Sequence, residues 1–286
     1  MAYLRACMKT ILQKITNDSS QSFACRIYET PQFETSWHKH PEYELILILK
    51  GHGTAMIGDY VCDYKVNDVF FMAGNLPHWF RKSHPQMKGA ALVIHFTADC
   101  WGEGLLQMTE MKTIQSLLQK NNGIQLGKAL KKEVSESMQL MYREKGFDKL
   151  ILLLQCLHKI GHSTQYKTLS EDFNDTGNVV NPVIERIIDF SFKHYLEKVT
   201  LEEVAAIANM SVPNFCRFFK KNIKKTYFDF LRDLRISHAC KLLTSTTQPI
   251  LDICYESGYK SWAHFSKQFK EVKLQTPSQY RKTYLS

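Results

Sequence analysis

Short apolar runs separated by turn residues fill the chain between Phe23 and Phe96. Gly-Asp and Asn-Asp pairs lie between them, as expected where one strand turns into the next. The runs are ACRIYE, YELILILKG, HGTAMIGDY, NDVFFMAG and GAALVIHFT. This pattern predicts a small antiparallel β-barrel or sandwich.

From Gly104 onward the apolar positions recur at helical spacing, which predicts three helices after the barrel. The positions are Leu106, Met111, Ile114, Leu117 and Leu118, then Leu130, Val134, Met138, Leu140 and Met141, then the run 150–157. Segment 162–181 is polar and weakly periodic, which predicts an exposed linker. After Pro182 the pattern is helical throughout.

These patterns divide the chain into 1–161, a linker at 162–181, and 182–286. We predict an α+β two-domain fold, with an N-terminal antiparallel β-barrel that carries a helical segment and an all-α C-terminal domain. The 286 residues, 44% of them apolar, suffice to bury a core in each domain.

The C-terminal part contains an internal repeat. VPNFCRFFKKN (212–222) and WAHFSKQFKEV (262–272) share one frame, with matched residues fifty positions apart. The matched pairs are Ser211 and Ser261, Phe215 and Phe265, Arg217 and Lys267, Phe219 and Phe269, and Lys220 and Lys270.

Each copy follows a shorter helical pattern and a turn. Thr200 and Glu203 have the spacing of a capping box before the first, and Gly258 ends the short helix before the second. Two helix-turn-helix units are therefore predicted, with the apolar stripe of 227–243 forming a stiff spacer helix between them.

In such a unit the second helix enters the major groove of DNA, so its exposed residues meet base edges and phosphates. The four phenylalanines of the repeat, at i and i+4 in each copy, are predicted to be core. The candidate DNA-binding residues are Val212, Pro213, Asn214, Cys216, Arg217 and Lys220 in the first unit, and Lys260, Ser261, Trp262, His264 and Lys267 in the second.

Charge supports a polyanionic partner for this region. Most of the net charge of +9 lies from Asn181 onward, where the sequence contains 17 basic and 10 acidic residues. The eight cysteines contain no CxxC pair, which fits a reduced compartment. Because no apolar run reaches the length of a membrane span, we expect a soluble, cytoplasmic protein.

The stretch WHKHPEYELILILKG (37–51) sets two histidines and a glutamate ahead of an aliphatic run. On a strand, His38, His40 and Glu44 would share one face. Imidazole and carboxylate ligands suit zinc, manganese, iron or nickel. Three interpretations remain open: a divalent metal site, a polar cluster that binds an organic ligand, and plain structural histidines.

The segments LEEVAAIANMSVPNFCRFFKK, ILDICYESGYKSWAHFSKQFK and TPSQYRK resemble the C-terminal DNA-binding region of the AraC/XylS family of bacterial transcription regulators. The resemblance covers about the last hundred residues. The chain departs from the family pattern at four positions. Cys254 replaces a usual alanine, Lys267 a usual arginine, and Lys224 and Leu274 the glycines that commonly follow the recognition helices.

His38, His40, Glu44 and Gly51 match the first motif of the cupin barrel, H-x-H-x3-E-x6-G, and NDVFFMAGNLPH (67–78) resembles its second. The resemblance implies that His38, His40, Glu44 and His78 could surround one divalent metal. In AraC-type regulators the barrel usually holds an effector, often without an ion. Nearby aromatic and amide groups would suit a sugar or polyol. The predicted effector-binding residues are Trp37, His38, His40, Glu44, Asn75, His78 and Trp79, with Tyr43 beside them.

We therefore expect a transcription regulator, activation being the family's commoner mode, whose partners are double-stranded DNA, a small-molecule effector, a second copy of the chain and RNA polymerase. By analogy with the family, the homodimer would form through the helices of 104–161. One alternative is a metal-dependent cupin oxygenase or isomerase fused to a helical tail. Another is a DNA-binding protein whose barrel only dimerises.

Overall fold

The computed structural model describes residues 22–33, 35, 37–84, 86–120, 122–170 and 181–285. The chain divides into two compact units, one formed by Met1–His52 with Lys65–Pro182 and the other by Gly53–Tyr64 with Val183–Ser286. The hairpin 53–64, which the sequence predicts to be part of the barrel, thus belongs to the second unit. Among the described residues, no helix has both the length and the apolar character needed to cross a membrane.

In the first unit the strands form an antiparallel sheet ordered β1-β7-β2-β5-β8-β9, and in the second unit β3 pairs antiparallel with β4. Their bounds are β1 Ala24–Glu29, β2 Tyr43–Lys50, β3 Gly53–Ile57, β4 Tyr60–Tyr64, β5 Val69–Met72, β6 His78–Lys82, β7 Ala90–Phe96, β8 Gly123–Leu126 and β9 Tyr166–Ser170. This agrees with the predicted antiparallel β domain.

Two faces of the central strands have different partners. On β2, Leu45 and Leu47 pack in the core that helices cover, whereas Glu44 and Ile46 line a cavity. Strand β7 alternates in the same way, because successive side chains of a strand point to opposite faces. The sequences of β2 and β7 are therefore nearly continuous apolar runs, because both faces of these strands are buried.

The helices of the first unit are α1 Glu103–Leu106, a 3₁₀ turn Thr109–Met111, α2 Lys112–Leu118, α3 Lys128–Arg143 and α4 Gly146–His162. Their apolar residues join the core beneath β2, β5 and β7. Two strands in this region were not predicted. Strand β8 pairs with β5, and β9 pairs with β8 inside the segment that was interpreted as a linker. The remainder of that segment, 171–180, lies outside the described residues.

The second unit contains α5 Pro182–His194, α6 Leu201–Ile207, α7 Val212–Ile223, α8 Tyr227–Ser245, α9 Ile250–Glu256, α10 Trp262–Lys273 and α11 Pro277–Leu285. Helices α6 and α7 form the first predicted helix-turn-helix unit, and α9 and α10 the second. The capping box of Thr200 and Glu203 is formed, with the Glu203 amide donating to the threonine side chain. All four repeat phenylalanines are fully buried, as predicted.

The two recognition helices end in the same way. Lys224 and Leu274, which replace the glycines of the family pattern, adopt left-handed backbone with φ of 63° and 58°. Each donates its amide to the carbonyl four residues earlier, so the helix closes as it would with glycine. Lys224 and Leu274 therefore preserve the turn geometry that glycine would give, but their backbone is strained because residues with a side chain disfavour positive φ.

Candidate nucleic-acid interface and histidine cluster

Four histidines and one glutamate meet inside the first unit. His38 lies between β1 and β2 and forms an isolated bridge with His78, through backbone hydrogen bonds of 3.2 and 2.9 Å. His40 follows in irregular backbone, and β2 begins only at Tyr43. The prediction that one strand face aligns His38, His40 and Glu44 is therefore wrong in detail, although the three side chains do converge.

The carboxylate of Glu44 lies at the centre of this cluster. Its Oε2 is 3.2 Å from Nε2 of His40 and 2.9 Å from Nε2 of His78, and its Oε1 is 3.2 Å from Nε2 of His95. Glu44 and the four histidines are each at most 7% exposed. A buried carboxylate requires such partners, because an isolated buried charge is strongly unfavourable.

Electrostatics within the cluster favour the charged forms of His40 and Glu44. Burial would lower the pKa of His40, but hydrogen bonds and charge from Glu42 and Glu44 outweigh it and raise this pKa to about 9. Burial would raise the pKa of Glu44, yet the neighbouring His78, His95 and His40 imidazoles hold it well below its usual range. A cation entering the cluster would therefore compete with a proton on His40.

The ligand atoms fit the spacing of a metal site. Those of His38, His40 and His78 all lie within 4.8 Å of one another, and so do those of His40, Glu44 and His95. Imidazole nitrogens with a carboxylate oxygen form a donor set for zinc, iron, manganese or nickel. The residues present thus fit the divalent ion that the cupin motif implies.

A small cavity adjoins the cluster. Its volume is ≈ 40 Å³, enough for an ion with one or two waters, whereas pockets for drug-sized ligands measure roughly 300 Å³ or more. It is lined by Tyr28, Gln32, Phe33, Thr35, His38, Glu44, Ile46, His78, Phe80, Ala91, Val93 and His95.

Only some of the predicted effector-binding residues line this cavity. His38, Glu44 and His78 line it, while His40 contacts Glu44 from beside it. Among the described lining residues there is no Trp37, Asn75 or Trp79. The two tryptophans are buried at 4% and 1% exposure, and Asn75 is exposed with φ of 61°.

Tyr43, which was predicted beside the effector-binding residues, packs against the hydrophobic core. Its ring stacks on Phe96 with centroids 5.4 Å apart, and its hydroxyl donates to the Leu118 carbonyl.

The cavity also contains four residues that were not predicted from the sequence: Tyr28, Gln32, Thr35 and His95. None of them lies in a motif. On β7, Ala91, Val93 and His95 lie on the same face, and a histidine at the end of an apolar face is unusual enough to indicate a functional residue. Only the strand pairing shows that this face meets Glu44.

The first recognition helix presents a polar face above a buried one. Phe215 and Phe219 are fully buried, while Pro213, Asn214, Cys216, Arg217 and Lys220 are exposed and Val212 is partly so. Nη2 of Arg217 donates a 2.6 Å hydrogen bond to Oδ1 of Asn214. A guanidinium held in this way is oriented before it meets a base edge or phosphate.

The second recognition helix has the same layout with different chemistry. Its predicted contact residues, Lys260, Ser261, Trp262, His264 and Lys267, are all exposed. The Trp262 ring is 43% exposed and packs on the buried ring of Phe265, with the two ring centroids 5.7 Å apart. The His264 ring lies 5.7 Å from that of Tyr259. Aromatic and imidazole groups here replace the amide and guanidinium of α7.

Comparisons with known proteins agree with both regions. A cupin domain model matches residues 27–95, and a helix-turn-helix domain model matches residues 204–283. The uncharacterized HTH-type transcriptional regulator YdeC of Bacillus subtilis is 29% identical over 99 residues, 35% of this chain and 34% of that protein. The lactose operon transcription activator of Staphylococcus xylosus is 32% identical over 131 residues, 46% of this chain and 47% of that protein.

Among solved structures, the C-terminal domain of AraT, a response regulator from Geobacillus stearothermophilus, is 32% identical with a TM-score of 0.36, covering 37% of this chain and 88% of that one. The chain spans between about a third and a half of the length of the two curated relatives. The chain therefore joins an N-terminal cupin domain to a C-terminal helix-turn-helix domain of the kind found in AraC-type transcription regulators.

Proposed function

We propose that this protein is a sequence-specific DNA-binding transcription regulator whose barrel senses a small molecule or ion. The observation that carries the proposal is the exposed polar face of α7, repeated fifty residues later on α10, each built on two fully buried phenylalanines. Such a pair of helix-turn-helix units reads two major grooves. The name of the Staphylococcus xylosus relative supports activation as the outcome.

On DNA, the residues would divide by chemistry. Asn214 and Arg217 suit adenine and guanine edges respectively, and Trp262 and His264 would meet bases at the second groove. Lys220, Lys260 and Lys267, together with the backbone at Ser261, suit phosphates. Val212 and Pro213 begin α7 and would provide apolar contact, for example with a thymine methyl group.

For the barrel, two occupants are consistent with the cluster. A divalent ion would be held by His38, His40, Glu44 and His78. A polar organic effector would instead hydrogen-bond to the same groups. A sugar, which the relative's lactose operon supports as a class, would require the ≈ 40 Å³ cavity to enlarge.

A homodimer through the helices that follow the barrel also belongs to this proposal. Leu140 on α3 is 49% exposed and Phe147 on α4 is 72% exposed. Apolar side chains this exposed favour burial against a second copy of the same surface. Sedimentation of Leu140→Glu/Phe147→Glu beside the unmodified chain tests this, and a monomeric unmodified chain at micromolar concentration would contradict it.

The test uses the full chain and a duplex that it selects from a random-sequence pool. DNA affinity is measured by fluorescence anisotropy with zinc, manganese, iron, nickel or a panel of sugars added. We expect one addition to change the affinity several-fold. Glu44→Gln should keep the basal affinity and lose that change, whereas His52→Gln, at an exposed histidine of the same unit, should behave as the unmodified chain.

Two results would contradict the proposal. Selection that yields no preferred duplex, or an affinity that barely changes with salt, would remove the DNA-binding function. A sequence-specific chain that responds to no addition would leave a regulator whose barrel only dimerises.

A further inference from the structure

We propose that His95 is a positioning residue for a divalent cation in the barrel: it holds Oε1 of Glu44 while Oε2 faces the cation. The proposal rests on the metal-binding form of the proposed function and adds a residue that lies outside both cupin motifs.

Strand pairing brings His95 to this position. In the register of β2 and β7, Glu44 and His95 are directly opposite each other. Their side chains point to the cavity face, because Ile46 and Val93, two residues away on each strand, also line the cavity. The contact of 3.2 Å between Nε2 and Oε1 is thus built into the sheet.

The partners of the other ring nitrogens identify which atoms face a cation. Nδ1 of His78 lies 2.8 Å from the Leu76 carbonyl, and Nδ1 of His40 lies 3.1 Å from the Glu42 carbonyl. Each carbonyl oxygen accepts a hydrogen bond from Nδ1–H, so the proton stays on Nδ1 and the Nε2 lone pair is free to coordinate. Both Nε2 atoms are within 3.2 Å of Oε2 of Glu44, so this oxygen lies beside the two nitrogens that are free to coordinate.

His95 differs from these two histidines. Among the described residues, its buried Nδ1 has no hydrogen-bond partner, so no carbonyl orients its Nε2 as a ligand. Its Nε2 faces the opposite oxygen of the carboxylate. A carboxylate only accepts hydrogen bonds when ionised, so Nε2 of His95 must carry the proton.

A cation makes this contact more important. Once Nε2 of His40 and His78 coordinate, they can no longer donate to Glu44. Among the described side chains in contact with this carboxylate, His95 is then the remaining donor. Without it, Glu44 would be free to rotate away from the cation. Partners of this kind typically change metal affinity 10- to 100-fold.

The experiment titrates cobalt(II) into the full chain after removal of metal with a chelator, following the d–d absorption. His95→Leu should weaken cobalt binding 10- to 100-fold and leave the spectrum at saturation unchanged. His95→Gln, whose amide can still donate to Oε1, should recover most of the affinity. His78→Ala should change the spectrum, because a ligand is lost, and His52→Leu should match the unmodified chain.

Several outcomes would overturn the proposal. These are full affinity in His95→Leu, an altered spectrum at saturation, no recovery in His95→Gln, and no cobalt binding by the unmodified chain. Folding of each variant is checked by thermal melting. If His95→Leu does not fold, histidine-labelled NMR of the zinc-loaded unmodified chain decides, since His95 must keep its proton on Nε2. DNA affinity of the same samples separates loss of the cation site from failure of the regulator function.

Discussion

Arg217 donates a 2.6 Å hydrogen bond from Nη2 to Oδ1 of Asn214, one turn earlier on the exposed face of α7. The pair orients a guanidinium toward solvent from a helix whose opposite face is fixed by Phe215 and Phe219. Less side-chain entropy is lost when an already oriented arginine binds a base edge or a phosphate.

Replacing Arg217 should weaken DNA binding. We expect Arg217→Ala to cost about 1–3 kcal/mol on the selected duplex, because a bidentate contact is lost. Asn214→Ala should have a smaller effect, since the guanidinium remains but is no longer held. Anisotropy titration measures both. Lys198→Ala, an exposed basic residue before α6, is the control, and an equal loss there would mean that only bulk charge matters.

The second recognition helix should contribute selectivity more than affinity. Trp262→Ala and His264→Ala remove exposed groups from α10 without opening its buried core, so they should relax the base preference at one half of the site. Repeating the random-pool selection with each variant checks this. Unchanged preference at every position would show that these side chains do not read bases.

Relieving strain at the end of α10 should stabilise the chain. Leu274 has φ of 58° and is 87% exposed, so its side chain gains little packing for the strained backbone. Leu274→Gly should raise the free energy of unfolding by about 0.5–1 kcal/mol. Leu274→Ala keeps the strain and should give little gain. Urea unfolding compares the three proteins, and equal stability of the glycine and alanine variants would contradict the argument.

Acid should destabilise the second unit through His238. Burial and the nearby Lys241 charge lower the pKa of His238 to about 4, and the Tyr195 hydroxyl lies 3.0 Å from its Nδ1. Because the unfolded chain binds this proton near pH 6.5, stability is present above that pH and is lost as pH falls toward 4. We expect a loss on the order of 1 kcal/mol between pH 7.5 and 5.

His238→Gln isolates this contribution, since glutamine does not titrate. Urea unfolding of both proteins at pH 7.5 and 5 should show a smaller decrease in the variant. Parallel decreases would mean that His238 is protonated equally in both states.

Much of the DNA-binding region could be predicted from the sequence. The repeat, the capping box and the buried phenylalanines depend on helical spacing within short segments, and the structure contains all of them. Strands β8 and β9 could not be predicted, because their stability comes from pairing with β5 and with each other. Short segments such as GIQL and YKTLS have no strong preference of their own.

The histidine cluster was likewise only partly predictable from the sequence. Motif spacing identified His38, His40, Glu44 and His78, which the structure brings together. The sequence could not identify His95, because its relation to Glu44 is set by the register of two strands.

The sequence by itself therefore determined the helices, their cores and the chemistry that each recognition helix offers, since these follow from neighbours three or four residues apart. Only the tertiary structure decided which oxygen of Glu44 each histidine meets and how small the cavity beside them is. Those distances depend on strands that are far apart in the chain, and only their pairing fixes them.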